Sequence, residues 1–261
     1  LEPKDADVDH VEDGYEGSGS FDGTSRWMNV NIDGNFELNA TFNSNVSLDA
    51  VSIPYFYSGF KPGDGQSSFS VTGDVKISVV TIASDAGKNL STQAFTFTAE
   101  PSSSEEAKKT VNVGNPNSTF SLFTAYFKDP DNYDKADTMA GANGVYASGS
   151  TDINIKAGKK VQIISVADYA DAISAKQGGR VDLGSPEMLQ VIGVVDFFTG
   201  DYNGAATETS RQSRISGTFQ GNNSFWFGDE KVKYTVKNPH GQHGGDLNFT
   251  FKDGAEWIYM V

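Results

Sequence analysis

Closely spaced carboxylates are the first residues in this chain with the means to do chemistry. Asp129, Asp131 and Asp134 fall within the run Asp129-Pro-Asp-Asn-Tyr-Asp134, and Asp137 follows. Calcium takes roughly six to eight hard oxygen ligands, and carboxylates crowded on one loop supply them together with backbone carbonyls. The run is therefore a calcium candidate, although it lacks the glycine and the terminal glutamate of an EF-hand loop. Its plain alternative is a solvated acidic turn. Asp5, Asp7 and Asp9 form a second calcium candidate, with Glu12 and Asp13 close by. There His10 stands where a calcium loop places its glycine, and the plain alternative is a solubilising tail.

Two of the three histidines, His240 and His243, lie three residues apart in the glycine-rich run His240-Gly-Gln-His243-Gly-Gly245. Imidazole nitrogens bind transition metals or haem iron, so this pair is a candidate for metal or haem capture. The plain alternative is a polar loop. Nucleophile elbows, zinc-protease helices, phosphate-binding loops and dinucleotide fingerprints do not occur. A polysaccharide lyase would set a Tyr or His base beside a basic residue, and Arg180, Arg211 and Arg214 are available for that part. Glycosidase carboxylates meet in space rather than in sequence and leave no motif. Aromatic platforms are the remaining ligand candidates. Tyr55, Phe56 and Tyr57 are consecutive, as are Phe225, Trp226 and Phe227, so on a strand their rings divide between two faces. Tyr55, Tyr57 and Trp226 are thus candidates for stacking on a sugar or a partner chain. A strand buried on both faces is the alternative.

Elements must position these residues, and the composition supports a folded core. Hydrophobic residues make up 37% of 261 residues, with Phe 18, Tyr 10 and Trp 3, and aromatic content favours strands. The formal net charge is -14. Residues 1 to 23 hold eight of the acidic residues against Lys4, so they form an extended acidic arm in front of a mildly acidic body. An acidic chain is a poor partner for phosphate backbones and for anionic membrane surfaces. Cysteine is absent, which excludes disulfides and thiolate sites. No apolar run reaches the ~20 residues of a membrane helix. Sequons stand at Asn39, Asn45, Asn89, Asn117, Asn222 and Asn248, and their two readings are chance in a chain this rich in Asn, Ser and Thr and glycosylation in a secretory pathway.

From Phe21 onward, apolar residues alternate with polar ones over many short runs. Val30 and Ile32, then Phe36, Leu38, Ala40 and Phe42, flank Asp33-Gly34, the best hairpin signal in the chain. Phe95 and Phe97 fall on one face of another run. Gly34, Gly73 and Gly217 each open a glycine-x-hydrophobic phrase at irregular spacing, which reads as hairpin turns rather than a solenoid. Residues 165 to 177 predict one helix, capped by Ser165, rich in alanine and stopped by Gly178-Gly179. The apolar run Met188 to Phe198 predicts one strand buried on both faces.

Fourteen to sixteen short strands with one helix predict an all-β fold: an antiparallel sandwich, jelly roll or barrel. The expected organisation is an arm over 1–20 and a β domain over 21–261, or two β subdomains over 21–105 and 110–261. The expected function is a non-enzymatic secreted or cell-surface protein, calcium-stabilised: an adhesin, a matrix or fibre subunit, or a carbohydrate-binding module. Its partners would be glycan or protein, and self-association would run through strand edges. A polysaccharide lyase or glycosidase, and metal or haem capture by His240 and His243, are the alternatives.

Overall fold

The structure is a computed structural model that describes residues 29–44, 48–53, 67–83, 90–99, 101, 105–128, 140–167, 169–198, 211–232 and 245–259. The described residues form twenty strands and no helix. The strands fall in coils of three. The first coil is β1 (Asn29–Ile32), β2 (Phe36–Ser44) and β3 (Leu48–Ile53). The second is β4 (Ser67–Val71), β5 (Val75–Ala83) and β6 (Leu90–Thr98), and the third is β7 (Lys109–Val113), β8 (Thr119–Lys128) and β9 (Ala140–Ser148). Next come β10 (Thr151–Ile155), β11 (Lys160–Val166) and β12 (Tyr169–Lys176), then β13 (Arg180–Asp182), β14 (Met188–Ile192) and β15 (Val194–Phe198). The sixth coil is β16 (Arg214–Gln220), β17 (Phe225–Gly228) and β18 (Glu230–Val232), and the last strands are β19 (Asp246–Lys252) and β20 (Glu256–Tyr259).

Each strand pairs with the strand three places away, always parallel. Sheet A has the order β1-β4-β7-β10-β13-β16-β19, sheet B the order β2-β5-β8-β11-β14-β17-β20, and sheet C the order β18-β15-β12-β9-β6-β3. The architecture is a parallel, β-helix-like coil. The antiparallel sandwich, jelly roll or barrel is therefore corrected. Parallel strands need a crossover, commonly a helix, but here the other two strands of each coil make it. The ladders cross residues 105–110 without a break, through β4 with β7, β5 with β8 and β6 with β9.

The inward side of every sheet is mostly apolar. One column runs Val30, Phe69, Val111, Ile153, Val181, Ile215 and Leu247 through sheet A. Another runs Leu38, Ile77, Leu122, Ile163, Val191, Trp226 and Trp257 through sheet B. Sheet C adds Phe95, Phe97, Val145, Ala147, Ile173, Ala175 and Val195 to the same core. Phe95 and Phe97 share the inward face as expected, with ring centroids 4.8 Å apart. Each strand's backbone is paired along the axis, and the interior admits a few polar side chains, among them buried Thr81 and Thr92, whose hydroxyl oxygens lie 2.6 Å apart.

Between sheets A and B the chain turns in a few residues, and the Asp33-Gly34 pair is one of these corners. It does not close a hairpin: β1 pairs with β4, not with β2. Gly34 holds φ at 136°, open to glycine, and its N–H donates to Thr72 Oγ1 at 3.0 Å. Asn35 Oδ1 accepts from Asp74 N at 2.8 Å, and Asp74 Oδ1 accepts from Thr119 N at 2.7 Å. Short polar side chains thus tie each corner to the one stacked on it. Gly34 and Gly73 belong to equivalent corners, so two of the three recurring phrases mark the coil itself, whereas Gly217 sits inside β16. The period escapes detection because it drifts. Stacked side-chain partners lie 39 residues apart for Asn29 and Ser68, 42 for Asn112 and Asn154, 28 for Gln162 and Gln190, and 34 for Asp182 and Ser216.

The helix expected over 165–177 is absent. Ser165 lies in β11 and donates to Ala142 O at 2.7 Å, and Tyr169–Lys176 is β12. The alanines serve volume, not helix propensity. Ala172 and Ala175 are buried in β12 between β9 and β15, and the register of β12 against β15 shifts between Asp171 and Ile173. A Cβ on Gly144 would stand 2.4 Å from Ala172 O. Gly144→Ala is expected to cost about 1–3 kcal/mol through overpacking, read as a lower urea midpoint with an unchanged slope. Gly178 and Gly179 do stop the element, with Gly178 at φ 97°. The single strand expected over Met188 to Phe198 is two, β14 and β15, separated by Gly193 at φ 126°.

Candidate functional site

Most of the sequence candidates lie outside the described residues: Asp129, Asp131, Asp134 and Asp137, then Asp5, Asp7 and Asp9, then His240 and His243, and also Tyr55 and Tyr57. Among the described residues no three His, Cys, Asp or Glu side chains gather as a metal group. Trp226 is described. It is 1% exposed and lies inside the coil. Its ring stacks on Trp257 at 4.7 Å and 4°, and its Nε1 donates to Gly193 O at 3.1 Å. In this structure its ring faces are therefore occupied within the chain. Phe227 is the exposed member of the aromatic triplet. Sequon residues Asn39 and Asn248 lie on exposed strand positions, and Asn117 and Asn222 on exposed corners.

The outward face of sheet A carries two unbroken polar rows. One is Asn31, Ser70, Asn112, Asn154, Asp182, Ser216 and Asn248. Neighbours within it bond one another: Ser70 Oγ donates to Asn31 Oδ1 at 2.7 Å and Ser216 Oγ to Asp182 Oδ1 at 2.9 Å. The other is Asn29, Ser68, Thr110, Asp152, Arg180, Arg214 and Asp246. It holds two of the three arginines that sequence reasoning could not select, and Arg211 lies beside them. Each arginine faces a carboxylate. Arg180 Nη2 is 2.5 Å from Glu105 Oε2, Arg214 Nη2 is 3.2 Å from Asp246 Oδ2, and buried Arg211 meets Asp152. Arg211 Nη1 also donates to Gly178 O at 2.6 Å, which anchors the corner between sheets C and A. The Arg180 guanidinium holds the exposed Glu105 carboxyl below the usual carboxylate range. The arrangement is an ion-pair ladder, built to hydrogen-bond outward rather than to present an unbalanced cation.

Sheet B differs. Its outward row Asn39, Ser78, Phe123, Ile164, Ile192, Phe227 and Ile258 turns apolar from the third coil onward. The exposed large hydrophobics among the described residues, Phe127, Val166, Phe227, Trp257, Ile258 and Tyr259, all belong to sheet B strands.

A buried ion pair and a partly buried lysine complete the picture. On sheet C, Lys176 Nζ lies 2.9 Å from Asp196 Oδ2, with side chains 12% and 1% exposed. It also sits 5.6 Å from the Tyr146 ring centroid. Burial pulls the Lys176 ammonium pKa down, but the Asp196 carboxylate, with Tyr146 and Asp171 behind it, outweighs burial and raises it. Asp196 Oδ1 accepts no hydrogen bond among the described residues. On sheet A, Lys109 occupies an inward register between Ser67 and Thr151, and burial lowers its pKa to about 8. A lysine lowered in this way disfavours the folded state while charged, so stability should rise as pH climbs from about 8 toward the ordinary lysine value. Dimethyl-lysine NMR should show one resonance titrating near 8, lost in Lys109→Met. A wild-type spectrum in which every lysine titrates above 10 would contradict it.

Comparison of the chain with family models, with curated proteins and with solved structures yields no match to any of them. No helix among the described residues is long and apolar enough to cross a membrane.

Proposed function

We propose that this chain is a non-enzymatic secreted or cell-surface binding and structural protein, a coil scaffold of the adhesin, matrix or fibre-subunit kind. The observation that carries this reading is the pair of polar rows that run across all seven strands of sheet A. A row repeating every ~4.8 Å offers the same donors and acceptors at each rung, which suits an extended, repetitive partner such as a neutral glycan or a fibrous protein. The three arginines are already matched by carboxylates, which supports a hydrogen-bonding surface over an acid-neutralising one. The filled apolar interior supports a rigid spacer, since packed coils transmit load along continuous backbone ladders.

Incubation with a panel of neutral and acidic polysaccharides tests the proposal. Saturable retention of at least one glycan or matrix protein is expected, without new reducing ends or unsaturated products. Turnover of any member of the panel would replace the proposal with an enzyme.

A further inference from the structure

One outward row of sheet A begins Asn31, Ser70, Asn112 and Asn154, and it stays uncharged until Asp182 in the fifth coil. The hydrogen bonds within it fix which atoms are left over. Ser70 Oγ gives its proton to Asn31 Oδ1 at 2.7 Å, and Asn154 Nδ2 donates to Asn112 Oδ1 at 3.3 Å. Among the described residues this leaves the Nδ2 hydrogens of Asn31 and Asn112 without an acceptor. It also leaves Ser70 Oγ and Asn154 Oδ1 with lone pairs to offer. From the first coil to the fourth the row therefore reads donor, acceptor, donor, acceptor, one group for each rung of ~4.8 Å. All four residues are exposed or half-exposed. The neighbouring row repeats the arrangement once, where Ser68 Oγ donates to Asn29 Oδ1 at 2.8 Å.

We infer that this uncharged row, from the first coil to the fourth, seats a neutral glycan chain lying along the coil axis. A hydroxyl group is donor and acceptor at once, so a polyhydroxylated chain answers every rung by rotating its O–H bonds. An extended peptide falls out of step. Its N–H and C=O groups return to one side every second residue, ~6.8 Å, against rungs of ~4.8 Å. A polyanion meets lone pairs at alternate rungs, then the Asp182 carboxylate, on a chain of net charge -14. Further along the sheet the seat ends, because Arg180 and Arg214 already direct their donors at Glu105 and Asp246. This inference rests on the binding reading above and adds the class of partner and its place on the sheet.

Titration calorimetry of the whole chain tests it, with a soluble β-glucan, dextran and a galactomannan as neutral probes and polygalacturonate as the polyanion. The wild type should bind at least one neutral probe more tightly than the polyanion, with an affinity that changes little on adding salt. Asn112→Asp keeps the size of the side chain but replaces two donors by an acceptor and a negative charge. It should weaken neutral-glycan binding about tenfold or more. Ser70→Ala removes one acceptor and should weaken it about threefold. The urea midpoint of each variant separates a lost contact from a lost fold, and both should stay near the wild-type value. Three results would overturn the inference: no binding of any neutral probe, tighter binding of polygalacturonate, or Arg214→Gln weakening binding as much as Asn112→Asp. A chain that holds a matrix protein but no glycan would sink this inference and spare the functional proposal. A chain that takes a neutral glycan on this row and cleaves it would do the reverse.

Discussion

Lys176→Met is expected to lower the unfolding free energy by about 3–5 kcal/mol, because it strands a buried carboxylate. The wild-type ion pair gains little over an apolar pair, since both charges leave water to make it, but half of it is far worse than either. Asp196 is 1% exposed and has Lys176 Nζ at 2.9 Å from one oxygen. The double variant Lys176→Met, Asp196→Leu should recover most of the loss or exceed the wild type. Urea unfolding of the two singles and the double closes the cycle, and a double as unstable as the lysine variant would contradict the account. The pH dependence has a definite sign. The Lys176 pKa is raised in the folded chain, so its contribution is fully present below the unfolded lysine value. It is lost as pH rises through the folded value, above about 10.4. That alkaline loss should vanish in the double variant.

Trp226→Ala is expected to cost about 3–5 kcal/mol, with the loss concentrated at the β19–β20 end of the stack. Trp226 supports three neighbours at once. It stacks on Trp257, it meets Phe249 edge-on at 5.4 Å, and its indole donates to Gly193 O. The same bond recurs one coil further, where Trp257 Nε1 donates to Gly228 O at 3.1 Å. These carbonyls sit where sheet B turns into sheet C. The turn is crowded: a Cβ on Gly228 would stand 2.0 Å from Gly193 O and 2.8 Å from Trp226 Nε1, so the hydrogen bond holds position 228 to glycine. Trp226→Phe should keep most of the packing and lose the hydrogen bond, at about 1–3 kcal/mol. Hydrogen exchange should show β17, β19 and β20 losing protection before β8 and β11 in the alanine variant. Uniform loss along the stack would instead mean that the coils unfold as one unit.

The strand content and the inward faces were open to sequence reasoning, because side chains alternate on any pleated strand and water sorts them. Phe95 and Phe97, Val75 and Ile77, and the glycine corners at Gly34 and Gly73 all follow from that local rule. Partner choice does not. A coil with an apolar inside and a polar outside carries the same period of two as a sandwich, so Asp33-Gly34 announced a turn without saying that β1 would pair with β4. Alanine misled for a related reason: at Ala172 and Ala175 it answers to the space left by a neighbouring strand, which propensity does not encode. The three arginines were visible as residues, and their meeting with Glu105, Asp152 and Asp246 arose from stacking segments far apart in sequence. Local chemistry decided which side of each strand faces in, and only the winding of the chain decided what lies above and below it.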